Sequence, residues 1–289
     1  MPASFVLPID KPAGPTSHDV VAIARRALGT KRIGHTGTLD PFASGLLLLC
    51  IESATRLAEY FGGLPKKYRA TARFDGTTST DDGTGDFCAT SEAWRLLDEG
   101  AVRAAFAHQR GTILQTPSSF SAKKVAGQRA YELARRGEVV QLAPVAVTVF
   151  DLRITAVDLP RVDFETDCSS GTYIRAIARD VGAELGTGGY LTELRRTAIG
   201  QFEVARAVTI EALTDRRRVE QQSLSMLAAV AHLPTIEVNE DEVTALRFGR
   251  VLARAAPVGT IAVARKLELI AVALSDGEHI KPKKVFPGD

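Results

Sequence analysis

The part of this 289-residue chain best suited to chemistry is a glycine-rich segment around one carboxylate. Its sequence is Gly34-His35-Thr36-Gly37-Thr38-Leu39-Asp40-Pro41-Phe42-Ala43-Ser44-Gly45, and the glycines and the proline indicate a loop. The loop leads into an apolar run, Leu46 to Ile51, which predicts a strand buried on both faces. Loops on a rigid scaffold commonly present reactive groups, so Asp40 is a candidate catalytic residue. On these grounds alone the alternative is equally good, because an aspartate before a proline often only caps a turn.

The sequence patterns on either side of this loop predict the helices and strands of an α+β fold. Ser17 is expected to N-cap a helix that Gly29 ends, and Ser53 is expected to cap a second helix over 54–61. Polarity patterns predict further strands and helices, namely strands at 68–74, 145–157 and 162–168 and helices at 93–108 and from Gly171 onwards. Because helices and strands interleave without strict βαβ spacing, we expect a central mixed or antiparallel sheet.

Composition along the chain predicts a large domain followed by a small one. Residues 1–225 form the expected large domain, and residues 234–289 contain short apolar runs that predict a small β-rich domain. Within the large domain, residues 117–140 are polar and carry five basic residues against two acidic ones. This excess of positive charge predicts a basic surface arm that clamps an anionic partner.

Composition also narrows the class of protein. Apolar residues make up 45% of the chain and charged residues 24%, which is typical of a globular protein with a substantial core. The net charge of +2 favours a nucleic-acid partner only weakly. Three scattered cysteines and five histidines lack metal-ligand spacing, so we expect no metal site. Without a signal-peptide pattern or a long apolar run, we expect a cytoplasmic protein with no membrane association, in which Cys50 and Cys168 are buried small hydrophobic residues.

The segment from Gly34 to Gly45 resembles the signature of the TruB family of pseudouridine synthases. Other landmarks of that family follow in order: Asp10-Lys11-Pro12, Lys67-Tyr68, the Thr/Asp loop near 78–86, Gln115-x-Pro117, Ser121-Ala122-Lys123, Ser170-Gly171-Thr172-Tyr173-Ile174-Arg175 and Leu194-Arg195-Arg196. The resemblance covers residues 5 to 205, and 234–289 resembles the family's small PUA-like domain. The chain departs from the family pattern at Ser79, usually an aspartate, and at Ser118, usually a proline.

This resemblance implies a function and a cofactor-free reaction. The family isomerises the conserved uridine of the TΨC loop of tRNA, position 55, by detaching uracil, rotating it and rejoining it through carbon 5. Asp40 corresponds to the essential carboxylate, which must be ionised to act as nucleophile or base. Arg175 corresponds to the cation that keeps it ionised, and Asp82 is expected to complete an Asp–Arg–Asp network, although Asp81 lies beside it.

The same resemblance assigns five residues to substrate binding. Tyr68 and Tyr173 correspond to residues that contact the base after it leaves its stack, and Leu194 to an apolar residue beside it. His35 corresponds to a residue that fills the space vacated by the base, and Lys11 is placed in the same group. The expected partner is the TΨC arm of tRNA, bound by a monomer that needs no protein partner.

Two other functions compete with this one. The chain could be a non-catalytic module that binds or folds tRNA, but Asp40, Arg175 and both tyrosines are intact, which argues against it. It could also modify another RNA, as the guide-dependent archaeal and eukaryotic relatives do. The short C-terminal domain and the absence of long basic tails favour the stand-alone bacterial form.

The basic arm generates a prediction about salt dependence. Neutralising Lys123, Lys124 and Arg129 together should weaken tRNA binding and flatten its salt dependence. Each lost phosphate contact lowers the slope of log affinity against log salt by about 0.7–0.9. Binding titrations of wild type and triple variant over a range of salt concentrations measure this slope. An unchanged slope would mean that 117–140 is an ordinary solvated face.

Overall fold

The computed structural model describes residues 3–118, 124–125, 128–129 and 142–287. Its α-helices are α1 (Ser17–Leu28), α2 (Ala58–Gly62), α3 (Glu99–Ala107), α4 (Ile174–Glu184), α5 (Arg216–Gln222), α6 (Met226–Ala229) and α7 (Glu240–Arg247). Its strands are β1 (Phe5–Lys11), β2 (Ile33–His35), β3 (Ser44–Ile51), β4 (Lys66–Arg73), β5 (Gly76–Thr78), β6 (Phe87–Thr90), β7 (Gly111–Gln115), β8 (Lys124–Val125), β9 (Gln128–Arg129), β10 (Val145–Asp158), β11 (Arg161–Cys168), β12 (Tyr190–Ile199), β13 (Phe202–Glu203), β14 (Val208–Thr209), β15 (Leu224–Ser225), β16 (Thr235–Glu237), β17 (Leu252–Ala253), β18 (Gly259–Arg265), β19 (Glu268–Ser275) and β20 (His279–Val285). Short 3-10 helices occupy Glu52–Leu57, Ala93–Leu96, Val204–Arg206 and Glu211–Thr214.

The chain divides into two compact units. Unit 1 comprises Met1–Pro41, Gly45–Gly62 and Gln201–Asp289, and unit 2 comprises Phe42–Ser44 and Gly63–Gly200. The α+β class with a mixed and antiparallel sheet arrangement is confirmed. The domain bounds expected from composition, 1–225 and 234–289, stay a prediction. Within the described part of the chain, no helix has the length and apolar character needed to cross a membrane.

In unit 1 the sheet is mixed. Strand β1 pairs in parallel with β14 and antiparallel with β3 and β15, and β2 pairs antiparallel with β3. Alternate residues of β1 and β3 pack with α1 and α5 into one hydrophobic core: Phe5, Leu7, Ile9, Val20, Val21, Ala24, Ile33, Leu47, Leu49, Ile51, Val208, Leu213 and Val219. Every residue from Leu46 to Ile51 is buried, so the predicted strand with two buried faces is confirmed.

Helix α1 begins one residue earlier than its sequence suggested. The N-cap is Thr16, whose hydroxyl accepts from the Asp19 N–H at 3.1 Å, while the Asp19 carboxylate accepts from the Thr16 N–H at 2.8 Å. This reciprocal capping box satisfies two backbone donors, and Gly29, with φ of 68°, ends the helix as predicted. The predicted N-cap at Ser17 is therefore wrong, because Ser17 is the first helical residue and its hydroxyl bonds elsewhere.

Two other helix predictions need correction. Ser53 caps nothing, because it lies inside the 3-10 helix Glu52–Leu57, which has no side-chain cap, and its N–H donates to the Ser4 hydroxyl. The single helix expected over 93–108 is split into the 3-10 helix Ala93–Leu96 and α3. The break occurs at Leu97, which is extended, and Asp98 then caps α3 through the Ala101 N–H at 2.7 Å.

The sheet of unit 2 is antiparallel throughout, in the order β12-β4-β11-β10-β7. The strands predicted at 68–74, 145–157 and 162–168 are thereby confirmed as β4, β10 and β11. Phe106 of α3 packs edge-on against Phe74 and Phe164, with ring centroids 6.0 and 5.1 Å apart. The predicted basic arm at 117–140 lies mostly outside the described residues. Its described part includes the short β8–β9 pairing, in which Lys124 is opposite Arg129.

Helix α4 packs against its neighbours through backbone alone at one point. A Cβ on Gly182 would lie 2.2 Å from the carbonyl carbon of Gly188, and a Cβ on Gly189 would lie 2.2 Å from the Ala178 carbonyl oxygen. No real Cβ tolerates such distances, so glycine is required at both positions for α4 to approach the turn before β12 this closely.

The C-terminal part of unit 1 forms a second sheet, in the order β16-β18-β19-β20-β17. It has a hydrophobic core of its own: Val238, Val243, Leu246, Leu252, Ile261, Val263, Ile270, Ala271, Ala273 and Ile280. Its last strand contacts the segment before α2, because the Arg56 guanidinium donates to the Val285 carbonyl at 2.6 Å and the Lys284 ammonium donates to the Arg56 carbonyl at 2.8 Å. The small β-rich C-terminal part expected from the sequence is confirmed.

We expect this second core to contribute strongly to stability. Leu246→Ala should lower the free energy of unfolding by roughly 2–5 kcal/mol, since Leu246 is fully buried and its truncation leaves a cavity. The control is Leu267→Ala, which removes the same atoms from a residue that is 86% exposed. Urea unfolding of the two variants measures the difference, and equal losses would contradict the assignment of Leu246 to a packed core.

Candidate active site

Asp40 lies in the connection between two adjacent strands of unit 1. Strand β2 pairs with β3 at Gly34 and His35, and the Thr36 N–H extends this pairing to the Leu48 carbonyl at 3.2 Å. The chain then forms the loop that contains Asp40 before it returns as β3. Asp40 is partly exposed, whereas its neighbour Leu39 is 4% exposed. A buried residue therefore anchors the loop directly before Asp40.

The loop is also held by the end of β1 and the segment that follows it. Lys11 is fully buried, and its ammonium group donates to the carbonyl of Pro12 at 2.8 Å and to that of Pro41 at 3.3 Å. The Gly14 N–H donates to the same Pro41 carbonyl at 2.8 Å. Lys11 was expected to bind substrate. That role stays a prediction, and the bond to the Pro41 carbonyl joins Lys11 to the residue after Asp40.

His35, the residue expected to fill the space left by the base, lies at the end of β2 and is partly buried. The exposed ring of His18 on α1 meets it edge-on, with centroids 5.8 Å apart and planes at 82°. This contact lies at the start of the Asp40 loop. The role of His35 toward the base stays a prediction.

Arg175 and Asp82 meet in the interior of unit 2. Their side chains are 4% and 5% exposed, and the guanidinium Nη1 lies 3.4 Å from the Asp82 carboxylate Oδ2. The same nitrogen donates to the Thr80 carbonyl at 2.6 Å. The other Asp82 oxygen accepts from the hydroxyls of Thr80 and Thr84 and from the Thr84 N–H, at 2.8, 2.5 and 3.0 Å. These donors replace the hydrogen bonds to water that a buried carboxylate gives up.

The structure also distinguishes Asp82 from its neighbour. Asp81 adopts a φ of 60°, which aspartate tolerates better than most residues, and its carboxylate pairs with Arg179 at 3.2 Å. Arg179 lies one helical turn after Arg175, and its guanidinium also donates to the Thr116 carbonyl at 2.8 Å. The two adjacent aspartates thus bind two arginines on the same face of α4. The expected Arg175–Asp82 contact is present, and the contact between Arg175 and Asp40 stays a prediction.

Tyr68 and Leu194 lie on neighbouring strands of unit 2. Leu194 of β12 is opposite Ala70 of β4, and Arg196 is opposite Tyr68. Because side chains two residues apart share a face of a strand, Tyr68 and Leu194 are diagonal neighbours on one face of the sheet. Leu194 is buried and Tyr68 is partly exposed. An aromatic face with an apolar neighbour is the arrangement that their expected roles require.

Tyr173 precedes α4 and is held by a residue to which no role was assigned. Gln115 is fully buried at the end of β7. Its side-chain oxygen accepts from the Tyr173 N–H at 2.8 Å, and its amide nitrogen donates to the Tyr173 carbonyl at 3.1 Å. Both backbone groups of Tyr173 are therefore fixed two residues before Arg175. The sequence contained a signal for Gln115, its place in the Gln115-x-Pro117 landmark, but not its partner.

The remaining buried ionisable groups of unit 2 and the cysteines suggest no further chemistry. Burial, and then the neighbouring Arg196, lowers the pKa of Lys66 to about 8. Burial raises the pKa of Cys50 to about 12 and that of Cys168 to about 11, so both thiols are protonated and the prediction that they are buried hydrophobic residues is confirmed. Among the residues that the structure describes, no group of three His, Cys, Asp or Glu side chains could hold a metal ion.

The buried ion pair generates a stability prediction. Asp82→Asn should lower the free energy of unfolding by roughly 3 kcal/mol, because the buried Arg175 loses an anionic neighbour. The matched control is Asp81→Asn, which should cost only about 1 kcal/mol, since Arg179 is 26% exposed and asparagine also accepts a positive φ. Urea unfolding at neutral pH measures both values, and equal losses would show that burial does not distinguish the two pairs.

Comparison with known proteins identifies the family of this chain. Residues 25–174 match the model of the TruB family pseudouridylate synthase N-terminal domain, and residues 175–232 match that of the tRNA pseudouridylate synthase B C-terminal domain. The chain is similar to proteins named tRNA pseudouridine synthase B from Arthrobacter sp. (strain FB24), at 45% identity over 96% of this chain and 95% of the relative, and from Mycobacteroides abscessus, at 47% over 93% and 91%.

Solved structures resemble it over nearly its whole length. An H/ACA RNP bound to a substrate RNA containing 2'-deoxyuridine has a TM-score of 0.76 and 25% identity, covering 98% of this chain and 85% of that chain. An archaeal box H/ACA sRNP Nop10-Cbf5 complex has a TM-score of 0.75 and 26% identity, covering 99% and 86%. Because the N-terminal family model covers more than half of the chain and the relatives match along almost all of it, the chain belongs to the TruB family of pseudouridylate synthases.

Proposed function

We propose that this protein converts a uridine of tRNA, position 55 in the TΨC loop, into pseudouridine. The observation that carries the proposal is the segment Gly34 to Gly45, which places the partly exposed Asp40 in the β2–β3 connection directly after the buried Leu39. The name tRNA pseudouridine synthase B, borne by relatives that match almost the whole chain, supports tRNA as the substrate.

The reaction detaches uracil from its ribose, rotates it and rejoins it through carbon 5. No atoms are gained or lost, so neither a redox cofactor nor a second substrate is required. Asp40 is the essential carboxylate, acting as nucleophile on the sugar or as base toward a ribose proton, and either role needs its ionised form. Arg175 is the cation that favours this form. Asp82, which accepts three hydrogen bonds from Thr80 and Thr84, orients the guanidinium.

Extraction of the base from its stack requires compensating contacts. Stacking on an aromatic ring is worth about 1–3 kcal/mol per base, comparable to the few kcal/mol that unstacking costs. Tyr68 supplies a partly exposed ring beside Leu194, and Tyr173 supplies a second ring. His35 occupies the position from which the base departs, and Lys11 belongs to the same substrate region.

We infer that the protein acts as a monomer in the cytoplasm, without a guide RNA or a protein partner. The likeness to H/ACA complexes leaves another RNA as the alternative substrate, because those structures are of assemblies with additional components. Relatives at 44–47% identity carry the tRNA name, whereas the H/ACA structures are 25–26% identical, so the tRNA substrate is favoured.

The test is to incubate an unmodified tRNA transcript with the enzyme alone and map pseudouridine. We expect one modified position, in the TΨC loop. Asp40→Asn should abolish turnover while tRNA affinity stays nearly unchanged, because phosphate contacts elsewhere supply most of the affinity. Asp241→Asn, an exposed carboxylate on α7, is the control and should retain full activity. Turnover by Asp40→Asn within about tenfold of wild type would contradict a catalytic role.

A further inference from the structure

The hydroxyl of Ser17 is bonded to the residue that precedes Asp40. Ser17 is 1% exposed at the start of α1, and its Oγ accepts from the Leu39 N–H at 2.9 Å and donates to the Leu39 carbonyl at 3.2 Å. Both backbone polar groups of Leu39 therefore end on one side chain, 22 residues away in sequence. Because this side chain and the Leu39 side chain are both buried, water does not compete for these bonds.

The residue that follows Asp40 is held from the same segment. The Pro41 carbonyl accepts from the Gly14 N–H at 2.8 Å and from the Lys11 ammonium at 3.3 Å. Gly14 has a φ of 110°, a conformation that L side chains rarely adopt, and it is this backbone geometry that presents the Gly14 N–H. The chain is thus fixed on both sides of Asp40 by residues from the end of β1 to the start of α1.

Neither of the two bonds between Ser17 and Leu39 is needed to start α1. Thr16 and Asp19 form the capping box of α1, and the Ser17 hydroxyl takes no part in it. A buried hydroxyl without partners would be costly, so its two bonds to Leu39 explain why a polar side chain is tolerated at this position. These bonds fix the backbone of Leu39, directly before Asp40.

We propose that Ser17 is a positioning residue for the Asp40 carboxylate. This inference rests on the proposed function, because it assumes that Asp40 takes part in the reaction. Catalytic groups must be held within about 0.5 Å of the productive geometry, and small displacements cost rate more than affinity. Ser17 acts through Leu39 and touches no RNA, so its loss slows the chemical step and leaves tRNA binding intact.

The experiment compares Ser17→Ala with Thr16→Ala. Thr16 is the adjacent residue, is exposed and caps α1 without contacting Leu39, so its loss lowers Tm through the helix alone. For Ser17→Ala we expect kcat to fall about tenfold, equivalent to about 1.4 kcal/mol of activation free energy. KM and the tRNA dissociation constant should stay within about twofold of wild type. Thr16→Ala should keep wild-type kcat when both are assayed well below their melting temperatures.

Each outcome decides the matter. Equal kcat values for Ser17→Ala and Thr16→Ala would overturn the proposal, as would a loss confined to KM. If Ser17→Ala does not fold, Ser17→Cys decides, because a thiol keeps the shape with weaker hydrogen bonds: a loss of about threefold in kcat supports the proposal and a wild-type kcat overturns it. An active Asp40→Asn variant would also overturn the proposal, because Asp40 would then have no catalytic role. Absence of pseudouridine from tRNA treated with the wild-type enzyme would instead remove the proposed function itself.

Discussion

A charged guanidinium inside unit 2 constrains much of the structure around it. Arg175 is 3% exposed, and burying a charge is costly unless an opposite charge and further hydrogen bonds compensate. Asp82 supplies the charge, and its second oxygen in turn needs donors, which come from Thr80 and Thr84. The polar composition of this buried loop therefore follows from the arginine. An apolar loop in its place would leave the charge without compensation.

In each unit, a buried polar side chain binds the backbone at or next to a residue with an expected functional role. In unit 1, Ser17 binds the N–H and carbonyl of Leu39, next to Asp40. In unit 2, Gln115 binds the N–H and carbonyl of Tyr173, two residues before Arg175. A side chain that binds both backbone groups of one residue fixes the position and direction of the chain. The side chains of Asp40 and Tyr173 take no part in these four bonds.

The fold class and the main strands could be predicted because burial imposes a periodicity that a local segment displays, as at Leu46 to Ile51. The start of α1 could not be predicted in this way. Thr16 and Ser17 are both good N-caps, and in the fold the Ser17 hydroxyl is bonded to Leu39, which is distant in sequence. Asp82 could be separated from Asp81 only by the turn geometry that directs them to different arginines. The roles of the site residues came from the family resemblance, since residue types alone left Asp40 undecided.

The glycine contact beneath α4 bears on how such a protein can change over evolution. At Gly182 the helix rests on the backbone of Gly188 and Gly189, with no side chain between them. Apolar residues elsewhere can be exchanged and repacked, but a contact made only of backbone has no volume to adjust. The distance between α4 and the turn before β12, and with it the position of Arg175, therefore does not depend on which apolar side chains fill the rest of the core. Sequence divergence in unit 2 is thereby decoupled from the geometry of its buried arginine, at the cost of two positions where only glycine is admissible.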